Sequence, residues 1–214
     1  PKYDDPELLK VGNPYLRPQF TSSIEAAHRY NWETGSLFSA VYHRQITGAY
    51  QRIFSIDNSN PEYDIVNRIY QNTGESTNTG IELLFSQDLT ENWKLIASTN
   101  VYQNNINAFQ GTLLFPFERT FSIEKTSNTA GDFKLTNSFT LPLNIEAQIT
   151  GLYYSKRNIP QGEELARSSI DFGLKKSLWD KKGEITLAVS DVFNNFGLRQ
   201  RIKGDGFSAF YENY

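Results

Sequence analysis

Ile145-Glu146-Ala147-Gln148-Ile149-Thr150-Gly151-Leu152-Tyr153 is the stretch on which the fold class turns. Ile145, Ala147, Ile149, Gly151 and Tyr153 alternate with Glu146, Gln148, Thr150 and Leu152. A period of two residues is that of a β-strand with one apolar and one polar face. Just before it, Pro142-Leu143-Asn144 reads as a tight turn, and Phe133, Leu135 and Phe139 then oppose Lys134, Thr136, Ser138 and Thr140. Working outward, the rhythm recurs. Phe20–Tyr30 sets Ile24, Ala26, His28 and Tyr30 against Thr21, Ser23, Glu25 and Arg29. Runs follow over Ser36–Thr47, Thr79–Gln87 and Trp93–Tyr102. Toward the C-terminus, Ile170, Phe172 and Leu174 oppose Asp171, Gly173 and Lys175, and Ile185, Leu187 and Val189 oppose Glu184, Thr186 and Ala188. These eight runs predict strands, with a ninth beginning near Phe207. The phase of the eighth breaks at Asp191, which fits either a bulge or an exit from the apolar slab.

The gaps between runs alternate short and long without exception. Asn31–Gly35, Asp88–Asn92, Pro142–Asn144 and Asp180–Gly183 are tight; about 48–78, 103–132 and 155–167 are long. A soluble sandwich has no reason to gather every long loop at one end. A membrane barrel does, with short periplasmic turns and long external loops. Trp32, Trp93 and Trp179 each sit beside a short turn, where a periplasmic aromatic girdle belongs. The expected fold is all-β: an antiparallel, up-and-down transmembrane β-barrel. Residues 1–18 are expected to be an external segment leading into the first strand.

Composition fits this reading. The 214 residues are 14% aromatic and 21% charged, with a net charge of -3 and a mean hydropathy of -0.52. That aromatic content is too high for a disordered chain, and the acidic balance argues against a nucleic-acid partner. No run of 18 apolar residues predicts a transmembrane helix, yet an alternating barrel strand needs none. There is no cysteine, so no disulfide framework, thiol nucleophile or Cys-based zinc site. The chain opens Pro1-Lys2-Tyr3 and contains no methionine, and is expected to be a mature fragment of a longer protein.

Several stretches resemble a known family. Gly12-Asn13-Pro14-Tyr15-Leu16-Arg17-Pro18-Gln19, followed by a strand with Glu25, resembles the GNP-x-L-x-P-E segment of TonB-dependent outer-membrane receptors. Asn72-Thr73-Gly74 leading to Gly80-Ile81-Glu82-Leu83, Trp93-Lys94-Leu95, and Val189-Ser190-Asp191-Val192-Phe193-Asn194-Asn195 are similar to that family too. In order and spacing they resemble its C-terminal barrel half, in the form found in Bacteroidetes-type outer-membrane β-barrel proteins. The resemblance implies a plugged barrel of about 22 strands importing a scarce ligand, such as a siderophore or glycan. This chain would then be an arc of about 8–9 strands. The implied partners are outer-membrane lipid, the receptor's own plug domain, TonB, a small ligand and a surface lipoprotein. The family's plug and TonB-contacting segment are not in this sequence, and the family normally adds a strand after the region matching Phe207–Tyr214.

The chemistry searched for gives no enzyme and no cofactor. His28 falls on an apolar face and His43 near the outer end of a strand. Asp57-Asn58-Ser59-Asn60 lacks the glycine and glutamate that complete a calcium loop. Gly204-Asp205-Gly206 is a turn signal with no phosphate-binding helix after it, and there is neither a Gly-x-Ser-x-Gly elbow nor a His-Glu-x-x-His. The polar residues expected to face the lumen are Glu25, Arg29, Glu82, Asp171 and Lys175. They would form ion pairs along the wall or touch ligand. Aromatic residues of the long inserts, Tyr63, Tyr70, Phe109, Phe115 and Phe117, with Phe121 beside them, are expected either to stack on ligand or to pack on each other. Two other readings stay open: a small closed barrel of about eight strands that anchors or adheres, and a soluble all-β carbohydrate-binding module.

Overall fold

The computed structural model describes residues 8–57, 65–114, 118–180, 182–204 and 206–213, with backbone alone at 8–11 and 65. Among the described residues every regular element is a strand. In chain order they are β1 (Leu8–Val11), β2 (Phe20–Trp32), β3 (Gly35–Thr47), β4 (Tyr50–Asp57), β5 (Ile65–Asn72) and β6 (Glu75–Thr90). Next come β7 (Trp93–Ile106), β8 (Phe109–Leu113), β9 (Arg119–Ile123), β10 (Thr126–Leu141), β11 (Ile145–Tyr154) and β12 (Arg157–Ile159). The last are β13 (Gly162–Glu164), β14 (Arg167–Leu178), β15 (Gly183–Val189), β16 (Leu198–Gly204) and β17 (Phe207–Asn213).

The eight alternating runs form one antiparallel sheet in the order β2-β3-β6-β7-β10-β11-β14-β15, each strand beside its predecessor among the eight. This up-and-down wall is not closed: β2 and β15 are its edges. Its register carries one apolar face across all eight strands. The row Val41–Ile81–Val101–Gly131 runs through β3, β6, β7 and β10, and Leu135–Gly151–Ile170 continues a similar row through β10, β11 and β14. Leu187 faces Leu174 at the far edge. The opposite face takes Glu25, Tyr42, Glu82, Asn100, Asp132, Thr150 and Asp171.

The apolar band has a definite height. On β6 it lies between Gln87 and Thr79, a rise of about 26 Å along the strand. A barrel tilt of about 40° reduces this to roughly 20 Å, near the 25 Å apolar belt of outer-membrane barrels. At its upper limit hydroxyls and amides bond sideways instead. His43 Nδ1 lies 2.7 Å from Thr79 Oγ1, Gln103 donates to Ser127 Oγ (2.6 Å), and Thr129 donates to Gln103 Oε1 (2.9 Å). At the lower limit, Asn137 is a polar residue on the apolar face, and Trp93 Nε1 donates to its Oδ1 at 3.0 Å.

The short connections are tight turns. Leu143 and Asn144 both have positive φ, the type I′ pattern that matches strand twist, and across the β14–β15 connection Lys182 N donates to the Trp179 carbonyl (3.1 Å). The long connections differ from the loops expected. Each carries strands of its own, and together they build a cap at one end of the wall. β4 and β5 form a hairpin to which β1 adds in parallel; β8 and β9 form a second; β12, β13, β16 and β17 form a four-stranded sheet. Ile53, Ile69 and Leu113 are the core of this cap, with Phe109 and Phe121 against them. Phe207–Asn213 is a further correction: it pairs with β16 in the cap sheet rather than extending the wall at β15.

Candidate ligand-binding site

The site lies on the polar face of the wall, at its capped end. Tyr42, Gly80, Tyr102 and Ala130 stand side by side across β3, β6, β7 and β10. Glycine is required between the tyrosines: a Cβ on Gly80 would lie 2.6 Å from Tyr102 Cβ and 2.7 Å from the Tyr42 hydroxyl. One step down the strands, Glu82, Asn100, Asp132, Tyr154 and Arg167 continue the next row. The Tyr42 hydroxyl donates to Asn100 Oδ1 at 2.8 Å, and Asp132 stands beside Asn100 in register. The Arg44 guanidinium lies 4.3 Å from the Tyr42 ring centre.

The roof is the β12–β13 hairpin. Glu164 points down from it, its side chain only 7% exposed, and is held by Arg157 Nη2 at 3.0 Å and Arg167 Nη2 at 3.6 Å. A buried carboxylate needs such partners, since unpaired it would carry a large desolvation cost. Arg167 stacks at 5.0 Å over both Tyr154 and Phe196. Beneath the roof is a cavity of about 280 Å³. Asn78 and Arg167 line it, and Asn78 Oδ1 and Arg167 Nε are themselves buried without a hydrogen-bond partner.

Glu163, the neighbour of Glu164, points to the other side of the hairpin, where Lys156 Nζ (2.8 Å) and Arg201 Nη1 (3.0 Å) hold it. The hydrogen bond from Lys156 keeps this carboxyl below the usual range; partial burial opposes the shift and Arg201 adds to it. Two adjacent glutamates thus tie the roof to the wall on one side and to β16 on the other.

All five polar residues singled out in the sequence lie on the polar face. Glu25 is 3.9 Å from Arg44, and Lys175 is 3.4 Å from Glu184 on the adjacent strand. Arg29 lies over the Phe38 ring at 5.7 Å, and Glu82 stands beside Asn100 in register. Asp171 accepts the backbone N–H of Asp191 (2.8 Å). Trp32, Trp93 and Trp179 all lie at the turn end: Trp32 donates to Gln87 (2.8 Å), Trp93 stacks on Phe139 (5.7 Å), and the exposed Trp179 ring lies against Gly183. Among the insert aromatics, Phe109 packs edge-on against Phe121 in the cap core. Tyr70 stands edge-on to Tyr50, and Arg52 Nε donates to its hydroxyl (2.8 Å). Tyr63, Phe115 and Phe117 lie outside the described residues, as do Asn58–Asn60 and Asp205. The cavity residues Tyr42, Asn78, Asn100, Asp132 and Glu164 were not singled out by sequence reasoning. The one available signal was a Tyr, Asn or Asp on the polar phase near the outer end of several strands.

The stretches that resemble the receptor family have structural jobs. Asn13 Nδ2 donates to the Tyr70 carbonyl (2.9 Å), while Asn13 Oδ1 accepts the N–H of Tyr15 (2.9 Å). Asn72 accepts from Arg17 N (2.7 Å) and donates to the carbonyls of Arg17 (2.9 Å) and Gly48 (2.8 Å). The first two stretches therefore meet, pinning residues 13–17 to the base of the β4–β5 hairpin. In the last one, Asp191 has positive φ and accepts N–H bonds from Asn195 and Phe196, each 3.0 Å. β15 ends at Val189, yet Val192 N still donates to the Ile170 carbonyl (2.9 Å) and Ser168 N to the Asn195 carbonyl (3.4 Å), so the chain runs on beside β14 with its register shifted, as at a bulge.

A model of the family described as Outer membrane protein beta-barrel family matches residues 1–214. The chain belongs to the outer membrane protein beta-barrel family. Neither a curated protein nor a solved structure matches it. Membership places the protein in the bacterial outer membrane and sets aside the soluble carbohydrate-binding module. In such a barrel the continuous apolar face is the one that meets lipid.

Proposed function

We propose that this chain is part of the wall of a TonB-dependent outer-membrane importer of a scarce small ligand. The observation that carries this reading is the pairing of an open, two-faced wall with a polar cavity at its capped end. Unpaired strand edges are costly in lipid, where no water satisfies the free N–H and C=O groups. The edges at β2 and β15 therefore call for further wall strands, and a wider barrel leaves a lumen that a plug domain can fill. The cap then faces the exterior, and a ligand meets the cavity before the lumen. Lipid against the apolar face, a plug domain, TonB and a surface lipoprotein are the partners this reading assigns. It gives the chain a binding and conducting role and no catalytic one. The test is uptake by cells producing the native protein, with and without an uncoupler of the proton-motive force. Uptake that stops with the uncoupler supports the importer; uptake that continues unchanged refutes it.

A further inference from the structure

We propose that the turn-end corner of β14 and β15 binds the headgroup phosphate of an anionic phospholipid in the periplasmic leaflet, through Lys176, Lys182 and the Trp179 indole. Nothing in this depends on import. The site needs only the apolar face against lipid and the short turns on the periplasmic side, the usual arrangement of outer-membrane barrels.

Lys176 stands on the wrong face for a charge. Along β14 it follows Ile170, Phe172 and Leu174 on the lipid-facing phase, and Leu178 comes after it. Its cross-strand neighbours are Ile145 on β11 and Ile185 on β15, so apolar side chains flank it on both sides. Among the described residues of the eight wall strands, it is the only Lys, Arg, Asp or Glu on this face between the polar belt at the capped end and the turns. Charge pairs of the wall form on the polar face instead: Glu25 with Arg44, Asp88 with Lys94, and Lys175 with Glu184. Lys176 has no ion pair among the described residues, and the carboxylates of the flanking strands, Glu146 and Glu184, lie on the opposite face with Lys175.

Two more donors without acceptors sit at the same corner. Trp32 Nε1 donates to Gln87 and Trp93 Nε1 to Asn137, whereas the Trp179 indole N–H has no acceptor among the described residues and its residue is 76% exposed. Lys182, exposed in the same turn, has no side-chain partner among them either. Of the four short turns, this one alone is basic. Asp180-Lys181-Lys182 sets two lysines against one aspartate, Asn31–Gly35 carries Glu33, Asp88–Asn92 carries Asp88 and Glu91, and Pro142–Asn144 carries no charge.

A lysine so placed lays its apolar stem along the wall and brings its ammonium to headgroup level. Indole N–H groups at such an interface likewise have an apolar body and a polar tip. Donors alone at one end, beside the apolar surface of Ile145, Ile185 and the exposed Leu143, call for a ligand that accepts at one end and is apolar at the other. A phospholipid is such a ligand. A zwitterionic headgroup offers the phosphate but brings its own ammonium next to two lysines, as a like charge. An anionic one, such as phosphatidylglycerol, brings none. Free phosphate lacks the acyl chains that the apolar surface would meet.

The test is native mass spectrometry of the full-length protein released from detergent micelles, titrated with phosphatidylglycerol, phosphatidylcholine and inorganic phosphate. Phosphatidylglycerol is expected to bind saturably and more tightly than phosphatidylcholine. Lys176→Gln and Lys182→Gln are each expected to weaken it about fivefold, the ratio equivalent to the roughly 1 kcal/mol of one basic residue at an anionic surface. Trp179→Phe, which keeps an aromatic ring and removes the N–H, is expected to weaken it less. Lys134→Gln makes the same charge change on the polar face of β10 and is expected to leave binding unchanged. Heat-modifiable gel migration identifies folded protein, and Lys176→Arg, which keeps the cation, is expected to retain binding. Equal affinity for the two lipids overturns the proposal. Phosphatidylglycerol binding that neither lysine variant weakens overturns it too, and so does a loss in Lys134→Gln as large as theirs, since net charge is then the cause. Displacement of the lipid by inorganic phosphate at equal concentration would make this a free-anion site and overturn it as well. Uptake indifferent to an uncoupler would refute the importer and leave the lipid site standing; loss of the lipid preference would do the reverse.

Discussion

In the wall, Val101 is 49% exposed and Ile149 42%, whereas in the cap Ile53 is fully buried and Leu113 is 2% exposed. Both regions are β-sheet, yet their apolar residues serve different solvents. The wall turns its apolar side chains outward in unbroken rows, as strands do when lipid is the solvent. The cap folds its apolar residues inward, as a small water-soluble domain does, so that Ile53, Phe54 and Ser55 are buried in succession on both faces of β4. The boundary between the two is the belt of His43, Thr79, Gln103 and Thr129, where side chains bond sideways to one another. One chain thus meets the hydrophobic effect with opposite signs on the two sides of a single hydrogen-bonded row.

The sharpest way to break this contrast is to place a charge on each face of one wall strand. Ile149→Lys puts an ammonium on the apolar face of β11, at a cost of up to roughly 2–4 kcal/mol, while Gln148→Lys faces the polar side. Assembly into membranes, read by heat-modifiable migration and protease protection, is expected to fail for the first and to proceed for the second. Equal tolerance of both would mean that the faces are assigned the wrong way round.

The two regions also differ in how far they can be read from sequence. Wall strands are up to 16 residues long and keep one face pattern along the apolar band, so a period of two survives in the chain. Every wall strand was therefore visible, although β6 and β10 run some residues past the apolar band, to Glu75 and Thr126, where alternation stops. The cap strands hide because burial on both faces erases the period, and because β12 and β13 are only 3 residues each. The cavity hides for another reason. Tyr42, Asn100, Asp132 and Glu164 lie on four strands, and only the pairing register, which sets Asn100 beside Asp132 one row below Tyr42, and the Glu164–Arg167 contact under the roof bring them together. Asp171 was visible as a polar-face residue, but its bond to the Asp191 N–H required the exit turn to be seen.

The next effect belongs to the cap alone. Ile53→Ala removes a fully buried side chain from a core of three residues and should cost about 2 kcal/mol or more. Because that core is separate from the wall, membrane assembly should survive while the cap becomes sensitive to an external protease. Loss of assembly along with the cap would show that the two fold as one unit. A smaller effect is expected where the regions join. Asp191→Ala frees the N–H groups of Asn195 and Phe196 and should cost about 1–2 kcal/mol, read as faster hydrogen exchange over 190–196. Asp171→Ala should reproduce part of that increase through the Asp191 N–H; unchanged exchange in both variants would remove the aspartates from the exit turn.

The smallest effect concerns the roof. Glu163 is held below the usual carboxylate range, first by the hydrogen bond from Lys156 and also by Arg201. A carboxyl with a depressed folded-state pKa stabilises the fold above its ordinary pKa, and that contribution disappears as the pH falls through the depressed value. The window therefore begins near the ordinary glutamate pKa of about 4.3 and extends to more acid pH. Lys156 and Arg201 are both more than half exposed, so solvent and salt screen the pair and the gain is small. Hydrogen exchange across 156–164 is expected to quicken as the pH drops through that window, after correction for the intrinsic pH dependence of exchange. Glu163→Gln should show the quickened exchange already at neutral pH and lose the acid transition. If the variant keeps that transition, the titrating group is not Glu163, and the roof is held chiefly by Glu164 between Arg157 and Arg167.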